Sequence, residues 1–333
     1  MPRRGSLQFK PRKRAKREIP RIRSWTKETE PRLQGFPLYK AFMTHMIVLD
    51  NYKNSPTFGK EISIPVTILE APSVRIFSIR AYKRDPVDGY LKVAKELYYL
   101  KDVNKRLYQR LTLPKEFKEK DFEKAFSDLE SEIDQYDDLR VLVYTNVEET
   151  GFPKKTPDVV ECFISGTSPK DKLDFVKNNI DKAIKFSDMY KEKEYVDVFA
   201  VTKGKGYEGP VKRWGKKIQK RKHKLQGVAR HIGAVSPRGP QRVLWTVPLP
   251  GQLGYHTRCE YNKLIVKISD EPNEINPKSG IPHYGLIKTQ WVALYGSVPG
   301  PSKRLIRIRP AIRPYNTTDW LGKIIYTYQE SLI

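Results

Sequence analysis

The chain is predicted to be mainly β: a closed or nearly closed barrel carrying an inserted α/β subdomain and two basic, non-globular extensions. Three observations carry that prediction. Many short segments place apolar residues at alternate positions and are separated by Gly and Pro. Between residues 91 and 190 the period becomes that of a helix and the charges become mixed in sign. Positive charge, finally, is confined: residues 1–27 hold eleven Lys/Arg against Glu18 alone and residues 201–242 hold thirteen against Glu208 alone, so 69 residues carry +22 of the formal +25.

Residues 1–34 read as a basic N-terminal arm. Pro2, Pro11 and Pro20 interrupt any helix, and Leu7, Phe9, Ile19, Ile22 and Trp25 build no single apolar face. That pattern argues against an amphipathic targeting helix and for a flexible arm that folds on its partner. Residues 35–90 read as the first part of the barrel. The stretch 36–49 is β-branched and aromatic, and Ile62, Ile64, Val66 and Ile68 alternate as in a strand with one buried face. Val74 and Ile76, followed by Ile79 and Ala81, predict a second strand with a slip or bulge.

Residues 91–195 read as the inserted subdomain. Phe122, Ala125, Leu129, Ile133 and Tyr136 recur at three- and four-residue spacing, which predicts an amphipathic helix. Ser168-Pro169-Lys170-Asp171 predicts a second helix, with a capping Ser, Pro at the first helical position and an acid in the first turn, before Leu173, Val176, Ile180 and Ile184. Strands are expected at 139–144 and 159–164. Residues 196–333 complete the barrel, with strands expected at 196–202, 243–247, 255–261, 264–268, 283–288, 291–295 and 305–308. A central basic extension at 203–242 interrupts them. No repeat of fixed period is present.

The totals exclude several functions. Cys162 and Cys259 have no CxxC partner, so neither a disulfide framework nor a zinc site is expected, and a reducing compartment is the default. No apolar run approaches the roughly 18 residues that cross a bilayer. Gly204, Gly206 and Gly209 in GKGYEG match a dinucleotide fingerprint, but Pro210 and a Lys/Arg run follow where a helix should, and 224–230 offers no acid for a ribose hydroxyl. Glycines that turn, or that let a backbone approach RNA, account for them better. The stretch 209–217 misses the phosphate-loop spacing by one residue and puts Lys217 where Ser or Thr should hold magnesium. His45, His223, His231, His256 and His283 have no metal-ligand or catalytic spacing. No enzyme, cofactor, metal or small-molecule substrate is expected.

Charge confined in this way needs a polyanion, and RNA fits the mixture of cations and planar groups. The expected RNA-binding residues of the arm are Arg3, Arg4, Lys10, Arg12, Lys13, Arg14, Lys16 and Arg17. Those of the central extension are Lys203, Lys205, Lys212, Arg213, Trp214, Lys216, Lys217, Lys220, Arg221, Lys222, His223, Lys224, Arg230, His231, Arg238 and Arg242. Tyr207 adds another plane. Trp214 reads equally as a platform for a base or as a core anchor at the base of the loop. Two rivals use the same cations: an RNA-modifying enzyme, which needs a pocket of converging acid/base groups, and an architectural DNA-binding protein.

Four blocks then carry a resemblance: RRGSLQFKPRKRAKR at 3–17, VTKGKGYEGPVKRWG at 201–215, GQLGYHTRCEYNK at 251–263 and GSVPGPSKRLIRIRPAIRP at 296–314. In that order they closely resemble the archaeal form of the large-subunit ribosomal protein L-three family, over essentially the whole chain. The resemblance implies a closed six-stranded β-barrel of the translation-protein type, with the inserted subdomain and two extensions that penetrate rRNA. It implies a structural, non-catalytic protein of the cytoplasmic ribosome. Such a protein binds large-subunit rRNA, nucleates assembly of its 3′ region, adjoins other large-subunit proteins and sends the central extension toward the peptidyl transferase centre. By position, Lys203, Gly204, Gly206, Lys212, Arg213 and Trp214 fall where that extension begins, and His223, His231 and Val235 fall toward its tip. Eukaryotic relatives carry a tryptophan near the tip where this chain reads Ala234-Val235-Ser236.

Overall fold

The computed structural model describes residues 6–114, 116–219, 229–233, 235, 241–315 and 320–328. The chain divides into two compact units, residues 19–200 with 259–333 and residues 1–18 with 201–258. In order, the elements are β1 (Leu33–Gln34), β2 (Phe36–Asp50), β3 (Glu61–Ala71), β4 (Val74–Arg84), β5 (Leu91–Tyr98), α1 (Glu119–Ser131), β6 (Asp138–Thr145), β7 (Val159–Ile164) and α2 (Pro169–Asn179). They continue with β8 (Tyr195–Val201), β9 (Tyr207–Glu208), α3 (Pro210–Trp214), β10 (Gly251–Gln252), β11 (Thr257–Ser269), β12 (Gln290–Tyr295), β13 (Leu305–Pro310) and β14 (Leu321–Thr327).

Six strands of the larger unit form a ring of hydrogen-bonded neighbours: β2, β3, β12, β11, β8, β13 and back to β2. The length of β2 makes this possible. One edge pairs with β3 from Tyr39 to Leu49, while the other pairs first with β13, at Phe36 to Tyr39, and then with β14, at Met46 to Asp50. Alternate side chains of the ring strands enter different cores, as strand geometry requires. Trp291 and Ala293 of β12 pack with Val66, Ile68 and Leu264, whereas Val292 and Leu294 pack with Leu69, Ile306 and Ile308 in a core shared with the second sheet.

That second sheet has the order β1-β7-β6-β4-β5, and its neighbouring strands run antiparallel. α1 contributes Leu129, and α2 contributes Leu173, Phe175 and Val176, to its core. The signal at Ser168 is realised as a full capping box: the Ser168 hydroxyl accepts from the Asp171 amide at 3.2 Å, and the Asp171 carboxylate accepts from the Ser168 amide at 3.0 Å.

Several segments differ from expectation. β4, with its register shift between Ile76 and Ser78, belongs to the second sheet rather than to the ring. β5 lies in the stretch read as helical; Leu, Lys, Ala and Glu favour helix locally, but pairing with β4 overrides them. The stretches 255–261 and 264–268 merge into the single strand β11. Residues 243–247 form no strand, and Val243, Leu244 and Trp245 are exposed. Residues 283–288 form no strand: 282–284 are a turn closed by the bridge between Ile281 and Gly285, and 286–288 have no regular structure.

Residues 19–34, expected to be arm, are part of the larger unit. Pro20 and Ile22 are buried, and Trp25 stacks on Phe163 at 5.5 Å. Two buried arginines of β13 hold this segment. Arg307 donates to the carbonyls of Pro20 at 3.2 Å, of Gly35 at 3.2 Å and of Glu161, while Arg309 pairs with buried Asp197 at 3.0 Å and donates to the Ser24 hydroxyl at 2.7 Å and the Ser24 carbonyl. Buried Glu70 is similarly satisfied, accepting from the Tyr284 hydroxyl and from the Lys288 amide at 3.0 Å. Both cysteines are free, and burial pushes each thiol up to about 11, so neither is a reactive thiolate near neutral pH.

Candidate nucleic-acid interface

The smaller unit holds 22 Lys/Arg and only two acids, Glu18 and Glu208. Its frame is a two-stranded ribbon. β9 pairs with β10, and the ladder continues as the Lys205 amide donates to the Leu253 carbonyl at 2.9 Å and the Thr202 amide donates to the His256 carbonyl at 3.0 Å. Gly254 is required here: its φ is +71°, and a Cβ would lie 2.1 Å from the Lys203 carbonyl oxygen. The arm joins this ribbon, with the Ala15 amide donating to the Tyr255 carbonyl at 2.8 Å and the His256 imidazole Nδ1 donating to the Lys13 carbonyl at 2.9 Å.

α3 begins on Pro210, the favoured first helical residue, and stops at Gly215 in the left-handed region. That short turn delivers Trp214 to the interior. The ring is 3 % exposed and its indole N–H donates to the Leu249 carbonyl at 2.7 Å, so Trp214 anchors the loop base and is not an open stacking platform. The Lys10 ammonium sits 4.2 Å and the Arg12 guanidinium 3.9 Å from its ring centroid.

The cations then fall into two sets. Lys10, Arg12, Arg213 and Lys216 are half-buried and bind backbone carbonyls. Arg213 reaches Gln252 at 3.0 Å and Leu249 at 2.7 Å, Arg12 reaches Arg213 and Ser6, Lys10 reaches Trp245, and Lys216 reaches Ile232 at 2.8 Å. Burial, then repulsion from Arg213, lowers the pKa of Lys10 and Arg12, and burial lowers that of Arg213. Burial and the neighbouring Arg258, Arg12 and Arg213 likewise hold His256 below the usual imidazole value, against the opposing hydrogen bond to Lys13.

Lys13, Arg14, Lys16, Arg17, Lys203, Lys205, Lys217, Arg230, His231 and Arg242 form the second set: exposed, with no side-chain hydrogen bond or ion pair among the described residues. Lys212 is exposed and pairs with Glu208 at 3.3 Å. Arg3, Arg4, Lys220, Arg221, Lys222, His223, Lys224 and Arg238 lie outside the described residues. Sequence reasoning missed Arg258, which lies 4.9 Å over the Phe9 ring and was hidden in a strand-like stretch. It also missed Trp245, 65 % exposed and read as a strand residue; with Tyr207, 76 % exposed, it supplies the open aromatic planes that Trp214 does not.

Among the described residues no group of three His, Cys, Asp or Glu is placed to hold a metal, and no helix is long and apolar enough to cross a membrane. The family model for ribosomal protein L3 matches residues 1–331. Large ribosomal subunit protein uL3 of Methanocaldococcus jannaschii is 47 % identical over 98 % of this chain and 95 % of its own length. Its counterparts in Methanococcus vannielii and Methanopyrus kandleri are each 44 % identical over 99 % of this chain, and over 97 % and 91 % of their own lengths. Cations held without carboxylates, a ribbon that carries them and a match along nearly the whole chain agree: the chain belongs to the ribosomal protein L3 family, non-catalytic structural proteins of the large subunit of the cytoplasmic ribosome.

Proposed function

We propose that the smaller unit binds large-subunit rRNA directly and that its exposed cations neutralise phosphates inside the folded RNA. The observation that carries this reading is the pairing pattern: Lys10, Arg12, Arg213 and Lys216 are held by carbonyls, and the exposed cations other than Lys212, which pairs with Glu208, have no hydrogen bond or ion pair among the described residues. Such a surface gains its binding free energy mainly from counterion release, with shape and stacking selecting the site. On this reading the arm and the central extension are the rRNA-penetrating parts, and the protein nucleates assembly of the 3′ region of the rRNA. The extension 203–242 reaches toward the peptidyl transferase centre, and other large-subunit proteins are neighbours. The ring of six strands is then the closed barrel of the translation-protein type, with residues 91–195 as the subdomain inserted into it. Deletion of residues 205–240 tests the assignment. The larger unit is expected to keep its fold while specific binding to a 3′-region rRNA transcript collapses; unchanged affinity would refute it.

A further inference from the structure

Within the smaller unit an open cleft of about 650 Å³ is lined by Arg14, Lys16, Gly204, Gly206, Gln252 and Tyr255, together with Ala15. The bond from the Ala15 amide to the Tyr255 carbonyl fixes the middle of the arm segment here, so the exposed Arg14 and Lys16 flank a pinned residue. The opposite wall is the stretch 203–206, tied to Leu253 through the Lys205 amide at 2.9 Å and through the Leu253 amide to the Gly206 carbonyl at 2.9 Å.

The three glycines of this region differ in what demands them. Gly254 is fixed by a clash, and Gly206 by a φ of +67°. Gly204 has neither reason. Its φ is outside the left-handed region, and a Cβ there would meet only the Tyr255 side chain, at 3.5 and 3.8 Å, which is ordinary van der Waals contact. The chain's own fold therefore tolerates a side chain at 204, yet the position is bare, exposed and faces a cleft flanked by two cations. A bare peptide beside paired cations suits close approach of a sugar–phosphate backbone.

We propose that this cleft seats one stretch of RNA backbone, with Arg14 and Lys16 on its phosphates and the Gly204 peptide as its floor. The assignment rests on the RNA-binding reading above and adds a place and the groups that make it. The test uses the full chain and a 3′-region large-subunit rRNA transcript, with Gly204→Ala, Gly204→Leu and the pair Arg14→Gln/Lys16→Gln. Both Gly204 variants keep the wild-type Tm; Gly204→Leu loses ~10- to 100-fold in affinity, as expected of overpacking, and Gly204→Ala loses less. Because that loss is steric, the slope of log K against log salt stays at the wild-type value, whereas the cation pair flattens it by about 1.4 to 1.8. Wild-type affinity in Gly204→Leu overturns the cleft assignment while steep salt dependence of the parent leaves the RNA reading standing. If Gly204→Leu unfolds, Gly204→Ala decides alone, and undiminished affinity in it overturns the assignment. A parent chain that binds poly-glutamate as tightly as the transcript at equal salt sinks the RNA reading itself.

Discussion

The Arg12 guanidinium lies 3.9 Å over the ring of Trp214 and donates to the carbonyl of the neighbouring Arg213, so one arm residue is locked to the loop base through both the face of an indole and the backbone beside it. The lock contains no carboxylate. It therefore depends on dispersion, cation–π attraction and carbonyl acceptors rather than on ion pairing.

Trp214→Ala is expected to release the arm. Truncating a buried tryptophan costs about 3–5 kcal/mol, and here the cost falls on the smaller unit. Hydrogen exchange at the Ala15 amide in the RNA-free chain measures it: protection drops in Trp214→Ala and is largely kept in Trp214→Phe. Equal protection in all three chains would remove Trp214 from the account.

Affinity for rRNA should fall with salt at a slope on the order of −6 to −10, because roughly a third to a half of the basic-segment cations meet phosphate. Replacing exposed Lys13 and Arg17 by Gln should flatten the slope by about 0.7–0.9 for each phosphate left without its cation. Replacing Arg213, whose donors are spent on carbonyls, should instead lower stability. A slope near zero would remove counterion release as the driving term.

His256 gives the smaller unit a pH dependence. Its folded pKa is depressed, so below the ordinary imidazole value of about 6.5 the unfolded chain takes up the proton more readily than the folded one. The contribution is fully present above that value and is lost as pH falls through the lowered folded pKa. Thermal melts followed by Trp fluorescence across pH 5–8, an interval set by histidine titration, should show Tm falling on the acid side, with the drop reduced in His256→Gln. A profile identical in the two chains contradicts this origin.

The Asp197–Arg309 pair has side chains 0 and 1 % exposed. Removing one partner leaves a buried charge, so Asp197→Ala should cost about 3–5 kcal/mol by urea unfolding. Asp197→Leu/Arg309→Met should cost clearly less than the sum of its single changes. Strict additivity would mean that the two residues do not interact energetically.

Local signals were legible and long-range ones were not. The Ser168 cap and the Ile62–Ile68 alternation lie within a few residues and the confinement of charge within two continuous segments, and each has its counterpart in α2, β3 or the smaller unit. Residues 243–247 misled because Val, Leu and Trp in a row look like a buried strand while here they are exposed. In β13 the alternation of Ile and Arg suggests one wet face, yet Arg307 and Arg309 are both buried, satisfied by residues 20–24, which no local pattern connects to them. Trp214 was open for the same reason: its acceptor, Leu249, is thirty-five positions away.

The grip of β13 on residues 20–24 also has a temporal side. Synthesis delivers Ser24 first and Arg309 285 residues later, an interval of roughly 15–60 s at ordinary translation speeds. Until β13 is made, the two arginines that hold Pro20 and Ser24 are missing, so residues 20–24 reach their place in the larger unit only after almost the whole chain has been synthesised.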